Sequence, residues 1–177
     1  MNATEITTKS ALVRSQIPGV GFVINPYLGC GHACRYCYAV FMRKYSKHHF
    51  ESRWGTFVEA KVNIADVLKE ELGKKRKSGT AMLSSVCDPY QPVEEKFKLT
   101  RKCIEHLKDH GWGVSILTKS PLVLRDRDLF RGIIDLEVGF SISTDNEEIA
   151  AGMEPGAPPI SDRGFAGGNP NPATEWN

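Results

Sequence analysis

Apolar side chains along the first 150 residues fall into short runs separated by longer periodic stretches, a pattern that predicts strands followed by helices. Residues 21–25 read as a strand ending at a cysteine-rich loop, and 35–47 are compatible with a helix. Ala65, Leu68 and Leu72 recur at helical spacing, so 63–77 read as an amphipathic helix. A buried strand follows at 81–86, then helix over 94–110, a third strand at 113–118 and a short helix over 125–132. The fourth strand spans 136–143, and Thr144 or Asp145 would cap a helix starting near Asn146. Strand–helix alternation of this kind implies an α/β fold with a parallel sheet and helices outside it. Neither period persists beyond residue 157: glycine, proline and asparagine dominate, which reads as a flexible tail. The chain thus divides into an N-terminal extension (1–16), one α/β unit (17–157) and an irregular tail (158–177).

Size and charge narrow the function classes. A chain of 177 residues can build one sizeable core. Its formal charge of +2 gives no strong nucleic-acid footprint, which would show a basic stripe or a pI above about 9. A nucleic-acid partner is therefore allowed but not supported by charge. The cluster Lys74-Lys75-Arg76-Lys77 follows a predicted helix, where cations complement the helix dipole, and reads as a solvated helix end. Arg43, Lys44, Lys47, His48 and His49 either face an anionic substrate or form an exposed polar helix face. Residues 1–9 are polar, and no apolar run is long enough to span a bilayer, so a cytoplasmic protein without a membrane partner is expected.

The chemistry concentrates at Cys30, Cys34 and Cys37, in the run NPYLGCGHACRYCYA. Gaps of three and then two residues bring three thiolates around one point in a compact loop. A closed zinc site needs four ligands, and most clusters of electron carriers are likewise held by four cysteines. With three, an iron–sulfur cube keeps one iron free of protein ligand, open to substrate or cofactor. The alternative is a zinc knuckle completed by His32, His48, His49, Cys87 or Cys103, although zinc ligands usually come as two separated pairs. A disulfide framework fits poorly with five cysteines, three of them in one loop, and no secretory segment.

This stretch resembles the signature of radical S-adenosyl-L-methionine (radical SAM) enzymes, and in particular the branch related to spore photoproduct lyase, a DNA-repair enzyme. Three further segments support the resemblance in chain order: Asp88-Pro89-Tyr90-Gln91-Pro92-Val93-Glu94, Leu117-Thr118-Lys119-Ser120-Pro121 and Ser141-Ile142-Ser143-Thr144. The similarity covers about residues 17–158. It implies a partial (β/α) barrel, of which this chain supplies about four of six units. It also implies a 4Fe–4S cluster on Cys30, Cys34 and Cys37, whose open iron binds the amino and carboxylate groups of SAM. An electron from a reductant such as flavodoxin or ferredoxin would then release a 5′-deoxyadenosyl radical that abstracts hydrogen from a substrate the sequence does not identify.

By the same resemblance, Tyr36 lies against adenine and Lys119 pairs with SAM, while Asp88, Ser141 and Ser143 are candidate SAM contacts. Each has a plainer role open to it: Tyr36 packing the loop, Lys119 exposed on a loop, Asp88 starting the turn before Pro89, and both serines facing a helix layer around an inward Ile142. In parallel α/β barrels functional groups gather on loops leaving the C-terminal strand ends, where all four segments fall. Glu94 and Glu95 read as first-turn helix acids, and Cys103 as a buried inert thiol. The lyase's hydrogen-returning cysteine aligns near Ser85 rather than Cys87, which makes photoproduct repair doubtful. Beyond Ala157 the sequence leaves the family pattern and resembles a truncated product. That carries an exposed strand edge as an expectation, and an inactive or partner-dependent cluster-binding fragment as the alternative function.

Overall fold

The computed structural model describes residues 2–75 and 78–166. The strands are β1 (Asn2–Ile6), β2 (Val13–Arg14), β3 (Phe22–Ile24), β4 (Tyr27–Leu28), β5 (Phe57–Lys61), β6 (Thr80–Leu83), β7 (Gly113–Thr118) and β8 (Leu136–Phe140). The α-helices are α1 (Ile64–Gly73), α2 (Glu94–Phe97), α3 (Leu99–Asp109), α4 (Arg127–Phe130), α5 (Glu147–Met153) and α6 (Ile160–Ala166), with 3-10 helices at Tyr38–Tyr45 and Pro121–Asp126.

Four of these strands, β3, β6, β7 and β8, lie side by side and parallel, as the alternation predicts. They form an open five-stranded sheet, order β2-β3-β6-β7-β8, with the short antiparallel β2 at one edge and β8 at the other. Register aligns Ile24, Leu83, Ile116 and Val138 in one row across the sheet. Because strand side chains alternate, this row shares a face with Ala81 and Val114. That face packs on Ile64, Leu68 and Leu72 of α1 and on Leu99, Cys103, Ile104 and Leu107 of α3, forming the core. The opposite face carries Met82, Ser115, Leu117 and Glu137, a mixture too polar for a second helix layer. Leu117 is half exposed there.

A second sheet, order β1-β5-β4, was not legible in the alternation. β1 runs parallel to β5 and β4 antiparallel to it, so residues 2–6 are built into the fold. All of β5 from Phe57 to Ala60 is buried, including Glu59, so its Phe-Val-Glu-Ala run lacks the polar alternation of a half-exposed strand.

Several expected boundaries move. The helix over 35–47 is a 3-10 helix confined to Tyr38–Tyr45, because Arg35 and Cys37 donate their backbone N–H groups to Met153 and Cys34. The helix over 94–110 splits at Lys98, whose φ is +53°. Glu94 is buried, and its carboxylate accepts from the backbone N–H groups of Thr100 and Arg101, so it caps α3 from outside. It is not merely a first-turn acid. The cap of α5 is Asn146, whose Oδ1 accepts from Ile149 N at 3.0 Å, rather than Thr144 or Asp145. Strand β8 stops at Phe140 instead of 143, although Ser141 N still donates to Thr118 O at 2.8 Å.

The irregular tail expected from residue 158 is corrected by α6. Glu147 accepts from Ile160 N and Ser161 N and so holds the start of that helix. Arg163 is buried against Pro158 O, Ser141 O and Glu154. Residues 167–177 of the expected tail lie outside the described residues. No helix among the described residues is long and apolar enough to cross a membrane.

Candidate metal and cofactor site

The cysteine loop leaves β4 and turns sharply at Gly29, whose φ is +89°. A Cβ there would come 2.5 Å from the Phe57 carbonyl oxygen, so only glycine lets the loop lie this close to β5. Gln91 clamps the turn from the other side: its Nε2 donates to Gly29 O at 3.1 Å and its Oε1 accepts from Gly31 N at 2.8 Å. The segment after α5 closes over the loop. Gly156 N donates to His32 O at 3.0 Å, and Arg35 N to Met153 O at 2.8 Å. A Cβ at Gly156 would sit 2.1 Å from Gly31 O, so here too glycine is required.

Held this way, Cys30, Cys34 and Cys37 line one cavity of about 270 Å³ at the C-terminal ends of β6, β7 and β8. Tyr36, Asp88, Lys119 and Ser141 line the same cavity; Ser143 does not, but it is tied to it through Glu154. Cys87 also lines the wall, its Sγ 3.5 Å from Tyr27 O and 3.4 Å from Ser84 Oγ. Burial, reinforced by Asp88, pushes the Cys30 thiol well above its ordinary pKa, and burial with Glu154 nearby raises Cys34 to about 11. Burial first of all lifts Cys87 to about 11 as well. Without a bound cation these three groups are neutral thiols at pH 7.

Asp88 is buried with both oxygens engaged. Oδ1 accepts from Tyr90 N (2.8 Å) and Thr118 Oγ1 (2.6 Å), and Oδ2 accepts from Lys119 N (2.7 Å) and lies 3.4 Å from His32 Nδ1. Burial alone would raise its pKa, but the His32, Thr118 and Lys119 contacts bring it below the ordinary carboxylate value. Its carboxylate therefore ties the cysteine loop to the loops after β6 and β7.

Glu154 is the residue that sequence reasoning missed. It is fully buried, and its Oε1 accepts from Ser143 Oγ (2.7 Å) and from the Tyr36 hydroxyl and lies 2.9 Å from Lys119 Nζ. Arg163 Nη1 is 2.6 Å from Oε2. Lys119 also donates to Ser141 Oγ at 2.9 Å, and its Nζ stands 5.8 Å from the Tyr36 ring centroid. Burial lowers the Lys119 pKa. One carboxylate thus joins the cysteine loop, β7, the segment after β8 and α6. The only signal in the sequence was an acid after a short apolar helix and before Pro155-Gly156, which is common at helix ends.

Of the further zinc ligands considered from sequence, His32 and Cys87 line this cavity, while His48, His49 and Cys103 lie elsewhere. His49 stacks on Phe57 and bonds to Thr4, and Cys103 is sealed in the α3 core. Among the described residues, no group of three or more His, Cys, Asp or Glu is arranged to hold a metal ion. By chemistry rather than by present arrangement, three thiols lining one cavity are donors of the kind that iron–sulfide groups take.

No protein-family model matches the chain. It is 41% identical over 154 residues to an uncharacterized protein of Methanocaldococcus jannaschii, covering 87% of this chain and 56% of that protein. An uncharacterized protein of Mycobacterium tuberculosis is 32% identical over 163 residues, covering 87% of this chain and 47% of the relative. The chain spans about half the length of the curated relatives it matches. Among solved structures, a cysteine-to-serine mutant of spore photoproduct lyase superposes with a TM-score of 0.69 at 18% identity, covering 93% of this chain and 46% of the lyase. A double mutant of that lyase with bound AdoMet and dinucleoside spore photoproduct gives 0.69 at 17% identity, over 92% of this chain and 45% of the lyase. This chain therefore has the mixed α/β fold found in about half of spore photoproduct lyase.

Proposed function

We propose that the chain is the cofactor-binding part of a radical SAM enzyme, its parallel strands forming about four of the six units of a partial barrel. The observation that carries this reading is the convergence of Cys30, Cys34 and Cys37 on one cavity, at strand ends that also present Lys119 and Ser141. Cys30, Cys34 and Cys37 would hold a 4Fe–4S cluster as thiolates, the form in which cysteine ligates a metal. When bound, the cluster and S-adenosyl-L-methionine together supply a one-electron cleavage that yields a 5′-deoxyadenosyl radical able to abstract hydrogen from substrate.

The remaining work belongs to the chain. Lys119 and Ser141 orient the carboxylate of SAM. Lys119, partly buried and shared with Glu154, keeps one defined direction rather than sampling solvent freely. The ring of Tyr36, fixed through its hydroxyl on Glu154, would contact the adenine, and Ser143 would support that contact through the same carboxylate. Asp88 acts from behind as a staple, since its oxygens are already occupied. An external reductant of the flavodoxin or ferredoxin kind supplies the electron. The half-exposed Leu117 and Ile142 beside the cavity favour a second reading, in which cluster and SAM bind but turnover waits on further polypeptide covering that side.

Anaerobic reconstitution with iron and sulfide, followed by chromatography for 5′-deoxyadenosine after addition of SAM and dithionite, tests the proposal. Product that depends on all three cysteines supports it. A SAM-binding protein that makes none leaves the second reading, and a protein that binds zinc in place of iron and sulfide overturns both.

A further inference from the structure

The 3-10 helix Tyr38–Tyr45 starts at the residue after Cys37 and carries an unusual surface. Tyr38 is 68% exposed, Tyr45 58%, Phe50 59% and Phe41 47%. Large exposed apolar side chains grouped in this way mark interaction surfaces, and aromatic residues with arginine are the composition of interface centres. Val40, Phe41, Arg43, Lys44, Ser46 and Phe50 line a groove of about 470 Å³ beside them. The helix is braced rather than loose: Ser46 N donates to Arg43 O, and Ser46 Oγ donates to the buried Glu59 at 2.6 Å.

Charge along this segment is mostly positive: Arg43 and Lys44 line the groove and Lys47 follows, against the exposed Glu51, in a chain whose totals of 23 cations and 21 acids nearly balance. Such a field draws an acidic partner and sets its orientation more than its raw affinity. A formal charge of only +2 and a cation already seated over two of the rings favour a protein partner over single-stranded nucleic acid. Lys44 Nζ covers Tyr45 at 5.0 Å and Phe41 at 5.9 Å, and the Tyr38 and Phe41 rings are tilted by 36°.

Tyr38 links this ledge to the candidate site. Its ring lines the cysteine cavity while standing largely in solvent, and its hydroxyl donates to Ser85 O across the cavity mouth. A partner seated on the ledge is therefore one residue from Cys37, where the Tyr38 ring, 6.4 Å from that of Phe41, stands both in solvent and in the cavity wall.

We infer that this aromatic and basic ledge is the docking surface for an acidic one-electron carrier protein. The inference rests on the proposed cluster site and adds where the electron enters. In the step, one electron leaves the carrier's reduced centre and reaches the iron held by the three cysteines. The carrier is oxidised by one electron and the iron group reduced by one; no proton moves and no bond forms.

The test compares wild type with R43E/K44E, both reconstituted, using a purified flavodoxin of net negative charge as probe. Wild type should bind the flavodoxin with an affinity that falls as salt rises, and the double variant should bind about tenfold more weakly. Flavodoxin-driven 5′-deoxyadenosine formation should fall in parallel, with the dithionite-driven rate and the melting curve unchanged. Equal flavodoxin binding by both proteins, or salt-independent binding by wild type, overturns the inference. So does a ledge that binds short oligothymidylate and not flavodoxin. If wild type takes up no iron and sulfide, the cluster reading has failed instead, and the flavodoxin binding result still decides the docking surface. Should the double variant melt early, Lys47→Glu and the salt titration of wild type carry the test.

Discussion

The two sheets of the molecule serve the cavity in different ways. The five-stranded sheet supplies chemistry from its strand ends: Asp88 follows β6, Lys119 follows β7 and Ser141 follows β8, all facing one cavity. The three-stranded sheet supplies shape. Its β5 backbone is the surface that the cysteine loop crosses at Gly29, and its β4 launches that loop. A site of this kind needs both: side chains of the right type on one sheet, and a close backbone approach on the other that no side chain at position 29 can replace.

Substitutions separate the two contributions. The largest effect should come from Cys34→Ala, which removes one of only three thiolates and should abolish iron and sulfide incorporation while leaving the fold intact; a variant that still loads fully would sink the ligand assignment. Gly29→Ala should act through the other sheet. It forces a Cβ to within 2.5 Å of Phe57 O at a φ of +89°, and should cost at least about 1–3 kcal/mol in urea unfolding, with cluster content falling alongside. If Gly29→Ala kept both stability and iron, the loop would not depend on β5.

Leu68→Ala probes the core beneath the five-stranded sheet. It should cost about 2–5 kcal/mol by urea unfolding, because Leu68 is fully buried between α1 and the sheet. SAM affinity, measured where the variant is still folded, should change little. A matching loss of SAM affinity would mean that core packing, not the strand-end loops, sets the site. Lys119→Ala should have the smallest effect on the fold and a selective one on the cofactor. It should weaken SAM binding by roughly 1.5–3 kcal/mol, about ten- to hundredfold by calorimetry, with iron content unchanged. Unaltered affinity would return Lys119 to a purely structural partner of Glu154.

How legible each region is in the sequence follows from the same division. The parallel strands could be read because one face of each is apolar and packs on amphipathic helices, so Ile24, Leu83 and Ile116 announce themselves. The cysteine spacing is local, and all three cysteines line one cavity in the fold. The second sheet was illegible for the opposite reason: β1 is a polar run that pairs only with a distant β5, and β5 is buried without alternating. Glu154 and Arg163 were illegible because their meaning lies in long-range pairing. Arg163 reaches Glu154 from a helix whose seven residues include two glycine or serine breaks in apolar spacing, and Glu147 rather than intrinsic propensity starts that helix. Glu94 was misjudged in the same way, since its carboxylate caps α3 only after Lys98 has turned the chain.

The most direct measurement of the central claim is electron paramagnetic resonance of the anaerobically reconstituted, dithionite-reduced protein with and without SAM. The account predicts the signal of a reduced 4Fe–4S cluster that changes when SAM is added, because three cysteines leave one iron open to it. A protein that loads no cluster, or a cluster signal that SAM leaves untouched, would contradict it.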